Sequence, residues 1–229
     1  MRLLFPLFFA IPVFAQAPVA GPDPAVLARR LDRHRPQASA PYEFAAIGDQ
    51  QYGPAGEARW PNLVQHINRS GVAFVLHTGD VKSGDTLCSN GMFANRANSF
   101  NAFEMPMILT PGGNEWTDCH RDNNGSYDSI ERLDYLRRVF YPDNQSFGLS
   151  FGRRKMTLSL QSEDARYSRY RENTMFSMGN ILYATLHVVG SNNNLVRNAA
   201  NDREHEERTN ANSSPDFSRR SGKRPHFVA

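Results

Sequence analysis

The sequence predicts an α/β fold in which buried parallel strands alternate with helices. Three short apolar runs each stop at a glycine and then present an oxygen-bearing side chain. The steps are regular: 31 residues separate Asp49 from Asp80, and 34 separate Asp80 from Asn114. That is about one strand–helix–strand unit. Between the runs lie segments whose apolar residues return at helical spacing, and alternation of this kind argues for a mostly parallel sheet.

The first run is Phe44-Ala45-Ala46-Ile47-Gly48-Asp49, followed by Gln50 and Gln51. An uninterrupted apolar stretch of this length reads as a strand buried on both faces, and the glycine lets the backbone turn tightly after it. Trp60, Leu63, Val64 and Ile67 then fall at i, i+3, i+4 and i+7, giving one apolar helix face. The second run, Ala73 to Thr78, ends in Gly79-Asp80, and Phe93, Ala97 and Phe100 mark the helix after it. The third run, Met107 to Thr110, leads through Pro111-Gly112-Gly113 to Asn114-Glu115; Ile130, Leu133, Leu136 and Phe140 mark a third helix. After about Phe147 the pattern changes. Lys155 to Leu160 reads as a strand, and Thr174–Met178, Gly179-Asn180 and Ile181–Val189 read as a hairpin. Asn201 to Asn212, with Glu204, His205, Glu206, Glu207 and Arg208, reads as an exposed helix. Residues 213–229 have almost no apolar periodicity and read as a disordered basic tail.

At the other end, residues 1–15 read as a signal peptide: Arg2, an apolar stretch from Leu3 to Phe14, then small residues. Residues 16–41, rich in Pro, Ala and Arg, read as a linker. A periplasmic or secreted location follows, with no membrane association once the signal is removed. In an oxidising compartment the two cysteines, Cys88 and Cys119, are expected to form a disulfide joining the second and third loops, the alternative being two free thiols. A net charge of +3 gives no reason to expect nucleic acid, and no phosphate-cradling P-loop motif is present.

In open α/β sheets, ligands bind beyond the carboxyl ends of the strands. Carboxylate and amide oxygens meeting there suit Mg, Mn, Fe or Zn. Gly48-Asp49-x-Gln51, Gly79-Asp80 and Gly113-Asn114-Glu115 resemble, in order and spacing, the first three motifs of the calcineurin-like metallophosphoesterases, the superfamily that includes purple acid phosphatases. The resemblance covers roughly Tyr42 to Gly190. It implies a two-sheet α/β/β/α sandwich over residues 42–212, incomplete at the C-terminus, because the family's later Gly-His-x-His ligands have no match here. It implies two divalent ions, with Asp80 bridging, Asp49 and Gln51 on the first and Asn114 on the second. Gln51 and Glu115 both stand where the family has histidine, and Glu115 becomes the candidate general acid. Lys82, Arg121 and Asn192 are the candidates for contact with a small phosphate-ester substrate. His187 could be a ligand, but fits more simply beside the site or in the core. The implied activity is that of an exported metal-dependent phosphatase or phosphodiesterase; the alternative is a catalytically inactive relative that binds a phosphate-bearing ligand or a protein partner.

Overall fold

The computed structural model describes residues 41–148, 155–195, 199–214 and 226–227. Val75–His77 (β2) is the central strand of a parallel sheet, flanked by Ala45–Ile47 (β1) and Met107–Leu109 (β3). Leu76 pairs with Ala46 on one side and Ile108 on the other. All three strands therefore end at one edge.

Three helices cover one face of this sheet: Gly53–Ser70 (α1), Asn90–Phe100 (α2) and Ser129–Phe140 (α3). α1 carries Pro54 in its first turn, where no backbone N–H is needed, and ends at Gly71. α2 is capped by Ser89, whose Oγ accepts from Met92 N at 3.2 Å, and α3 by Asp128, whose Oδ1 accepts from Glu131 N at 2.8 Å. The apolar positions read from the sequence are the ones that pack. Trp60, Phe93, Phe100, Leu133 and Phe140 join Val75, Met107 and Leu109 in one core.

The opposite face packs on a second sheet. Ser159–Leu160 (β4), Thr174–Met178 (β5), Ile181–Thr185 (β6) and His226–Phe227 (β7) lie in that order, antiparallel except for the parallel pair of β6 and β7. Phe74, Leu76 and Ile108 meet Leu158, Leu160, Phe176 and Tyr183 in a second core. The fold is thus mixed α/β, with two small sheets and helices. Phe74 stands at the centre of the second core, its ring 5.2 Å from Phe176 and 5.0 Å from Tyr183. Phe74→Ala is expected to cost about 3–5 kcal/mol, the usual range for emptying a buried aromatic site. Urea unfolding would read it, and a loss under about 1 kcal/mol would mean that the two sheets do not share this core.

Several expectations shift. The strand read over 155–160 is short, because Met156 and Leu158 pair with the 144–146 segment instead: Ser146 N donates to Met156 O and Leu158 N to Asn144 O. The second hairpin strand stops at Thr185, since His187 N bonds the Asn173 side chain rather than a neighbouring strand. Beyond it come a short turn of helix, Gly190–Asn194 (α4), and then Ala199–Asn212 (α5). α5 forms where the sequence predicts a helix, but it is not simply exposed: Glu204, Arg208 and Ala211 are buried. The signal peptide, nearly all of the linker and most of the tail lie outside the described residues; within the tail expected to be disordered, His226–Phe227 instead pairs with β6. No described helix is long and apolar enough to cross a membrane.

Candidate active site

The three strand ends converge, and their backbone is unusual there. Asp49, Gln51 and Asp80 have φ of 55°, 65° and 53°, the left-handed region that non-glycine residues rarely enter. Asp49 N donates to Gly79 O at 3.1 Å, which fastens the first loop onto the second. Two glycines allow the close approach. Gly79 has φ 88°, and a Cβ there would overlap Gly112; a Cβ on Gly112 would overlap the Asp80 carboxylate.

Asp80 Oδ1 accepts from Asn114 N at 3.0 Å. The Asn114 amide donates to Tyr52 OH at 3.0 Å and to Lys82 O at 3.1 Å, and Tyr52 OH in turn donates to Asp49 Oδ1 at 3.0 Å. Asp49, Tyr52, Asn114 and Asp80 thus form one connected group. Burial, together with the nearby Asp49 charge, holds the Asp80 carboxyl above its ordinary value, against the backbone N–H groups of Asn114 and Gly113. Burial and the same two acids push the Tyr52 phenol upward. Asn114 Oδ1 has no hydrogen bond among the described residues.

The other candidates separate. Gln51 is buried, and both ends of its amide are taken: Nε2 donates to Ser99 Oγ at 2.7 Å, and Oε1 accepts from Arg96 Nη1 at 3.0 Å. Arg96 also donates to Gln51 O and to Val81 O, clamping the first two loops together from α2. An oxygen already facing a guanidinium is a poor ligand for a second cation, so Gln51 acts here as a brace.

Lys82 is 0 % exposed, with Nζ donating to Ser83 O at 3.0 Å and to Asn124 Oδ1. Burial brings its pKa down to about 8, against the pull of Glu115 and three aspartates. In this position it supports the loop. Glu115 is 1 % exposed. Its Oε1 accepts from Gly112 N at 2.7 Å, while Oε2 is buried without a partner. Burial first, then Asp80, push its carboxyl up to about 7.

Arg121 is exposed and ion-paired with Asp118 at 2.8 Å. Its guanidinium, the Asp118 carboxylate and Asn114 Oδ1 all border the space above Gly84. Asn192 is exposed on α4, and among the described residues no hydrogen bond joins it to the Asp49–Asp80 group. Cys88 and Cys119 form the expected disulfide, and each Sγ lies 3.9 Å from Asn114 O. Sequence reasoning missed Tyr52, Arg96 and Asp118. Tyr52 had a signal, since it directly follows Gln51 at the start of a helix; Arg96 had none.

Two histidines are buried neutral. Gly79 N donates to His77 Nδ1 at 3.1 Å, and burial presses the His77 pKa down to about 4. His187 lies in the core, where Trp116 Nε1 donates to its Nε2 at 3.1 Å. His77 and Glu115 give opposite pH effects. Between pH 6.5 and about 4 the unfolded chain protonates His77 and the folded chain does not, so stability falls as pH drops, by on the order of 3 kcal/mol in total. Between pH 7 and 4.5 the folded chain protonates Glu115 first, so that carboxyl adds stability as pH drops. Urea midpoints of Glu115→Gln are therefore expected to fall more steeply from pH 7 to 4.5 than those of the parent. Parallel curves would show that Glu115 is ionised in the folded chain.

Among the described residues, no group of three or more His, Cys, Asp and Glu side chains could hold a metal ion. The donors that converge are the two carboxylates; the Asn114 amide turns its NH2 toward Tyr52, and its Oδ1 borders the space above Gly84. The carboxylates fit one hard, largely hydrated ion of the Mg or Mn type, which proteins often hold through one or two carboxylates and waters. They do not fit a pair of ions held by imidazoles. No family profile, curated protein or solved structure matches the chain.

Proposed function

We propose that the chain is a metal-dependent phosphoesterase that works at the ends of β1, β2 and β3. The observation that carries this reading is the convergence of Asp49, Asp80 and Asn114 on adjacent parallel strands, with both acids held in left-handed backbone. Residues in such conformations cluster at functional sites. The resemblance to the calcineurin-like motifs agrees with it. The apolar contact between the two sheets supports the sandwich that the resemblance implies.

Asp49 and Asp80 would hold the divalent cation, with Asn114 beside them. Such an ion would supply an acidified water and neutralise charge on the phosphoryl group. Tyr52 orients Asp49 and Asn114 through its hydroxyl. Arg121 takes a non-bridging phosphoryl oxygen, which costs it only a half-exposed ion pair. Glu115 is too buried to meet a leaving group and serves to hold Gly112 against Asp80. The disulfide fits an exported protein.

One observation favours a second reading, a phosphate-binding module without turnover. The Gln51 position is braced by Arg96, so the first ion position is left with one carboxylate. Calorimetric titration with Mn²⁺, run beside hydrolysis of a chromogenic phosphodiester, separates the two. About one ion per chain with turnover, both lost at least 100-fold in Asp80→Asn, is the expected result, since the ion carries most of the catalysis. Binding without turnover supports the module. A folded chain that binds no divalent ion removes the phosphoesterase.

A further inference from the structure

Six buried side chains from separate parts of the chain close into a ring beside the third strand-end loop. Trp116 Nε1 can only donate, so His187 Nε2 accepts its bond at 3.1 Å and the imidazole proton sits on Nδ1, which donates to Glu172 Oε1 at 3.0 Å. Arg137 clasps Glu172 through Nε at 3.0 Å and Nη2 at 2.6 Å. Its Nη2 lies 3.9 Å from Glu204 Oε1, which accepts from Arg208 Nε at 2.9 Å. Arg208 closes the ring: its guanidinium carbon is 5.2 Å from the centre of a Trp116 ring, and its Nη1 donates to His187 O at 2.9 Å. None of the six is more than 5 % exposed. Two guanidiniums face two carboxylates, so the ring is neutral overall.

Well-packed apolar residues are often as stable as buried ion pairs; what a satisfied ionic ring can add is a single arrangement. Trp116 is what this ring fixes, gripped at its edge by His187 and on its face by Arg208. Trp116 directly follows Glu115, and Trp116 N donates to Gly113 O at 3.2 Å. Glu115 in turn accepts from Gly112 N, and Gly112 lies against the Asp80 carboxylate.

We propose that Trp116 is a positioning residue: the ring holds its indole, the indole sets the Gly112–Glu115 turn, and the turn sets the Asp80 carboxylate. α5 thereby becomes part of the site's foundation through Glu204 and Arg208. Only the last step, from Asp80 to a bound ion, rests on the proposed function.

Trp116→Phe removes the N–H and keeps most of the ring. Amide hydrogen exchange of the full chain at pH 7 would follow Gly112, which bonds Glu115, against Val75, whose N–H bonds Pro106 O at 2.8 Å in the sheet. Gly112 exchange is expected to quicken about fivefold to tenfold relative to Val75, the scale of one lost hydrogen bond, and Mn²⁺ affinity to fall with it. A purely structural role would quicken both amides together; that result, or an unchanged Gly112, overturns the proposal. Should Trp116→Phe fail to fold, Arg208→Lys keeps the charge but loses the flat stack, and is read by the same ratio. A parent chain that binds no Mn²⁺ would sink the proposed function and leave the exchange ratio to decide the positioning role.

Discussion

Replacing Glu172 by Gln is expected to destabilise the chain by roughly 3–5 kcal/mol, the range for breaking a buried ion pair by removing one partner. Glu172 is wholly buried and accepts from Arg137 Nε and Nη2 and from His187 Nδ1. Burial alone would raise its pKa, but the Arg137 charge and these bonds outweigh burial and hold the carboxyl well below its ordinary range. Its stabilising contribution is present above pH 4.5 and is lost as pH falls toward the folded value. Gln keeps the shape and removes the charge, leaving Arg137 with only its longer contacts to Asp134 at 3.4 Å and Glu204 at 3.9 Å. Urea unfolding at pH 7 reads the loss. Arg137→Met combined with Glu172→Met should recover most of it, because a well-packed apolar pair is often as stable as a buried ion pair. A single-variant loss under about 1 kcal/mol would mean that the pair is solvated.

Breaking the Cys88–Cys119 bond is expected to cost about 3–4 kcal/mol, from the entropy that a closed loop spanning 31 positions removes from the unfolded chain. The effect should be local as well as global. Both sulfurs rest near Asn114 O, Arg132 Nη1 donates to Cys88 O at 3.0 Å, and Tyr127 N donates to Cys119 O at 2.8 Å. The bond therefore anchors the loop that carries Asn114 and Asp118. The urea midpoint should drop on adding reductant, and Cys88→Ser should match the reduced parent. Equal midpoints with and without reductant would mean that the bond does not constrain the unfolded chain.

How much of this was legible depends on how far apart the partners are in sequence. Asp49, Asp80 and Asn114 could be found because each ends an apolar run, and because parallel strands joined by helices bring their ends to one edge. The faces of α1, α2 and α3 were legible for a related reason: apolar residues at helical spacing leave a pattern. α5 hid its buried face because that face is charged. Glu204, Arg208 and Ala211 lie at i, i+4 and i+7, the same spacing, but two of the three read as solvated charge until Arg137, His187 and Trp116 are seen beside them. Gln51 and Lys82 show the opposite effect. Their position beside strand ends suggested ligand contact, while Arg96 and Asn124, more than forty residues away, turn them into braces.

The left-handed backbone at Asp49 and Asp80 sets stability against chemistry. Glycine occupies that conformation without strain, whereas an aspartate gives up on the order of 1 kcal/mol to remain in it. Glycine would relieve that strain but would give up the bonds that Asp49 accepts from Tyr52 and Asp80 from Asn114, and with them the carboxylates that make the strand ends a candidate site. Hardening this chain for use means adding stability elsewhere, in the α1 surface or the second sheet, and leaving those two residues under strain.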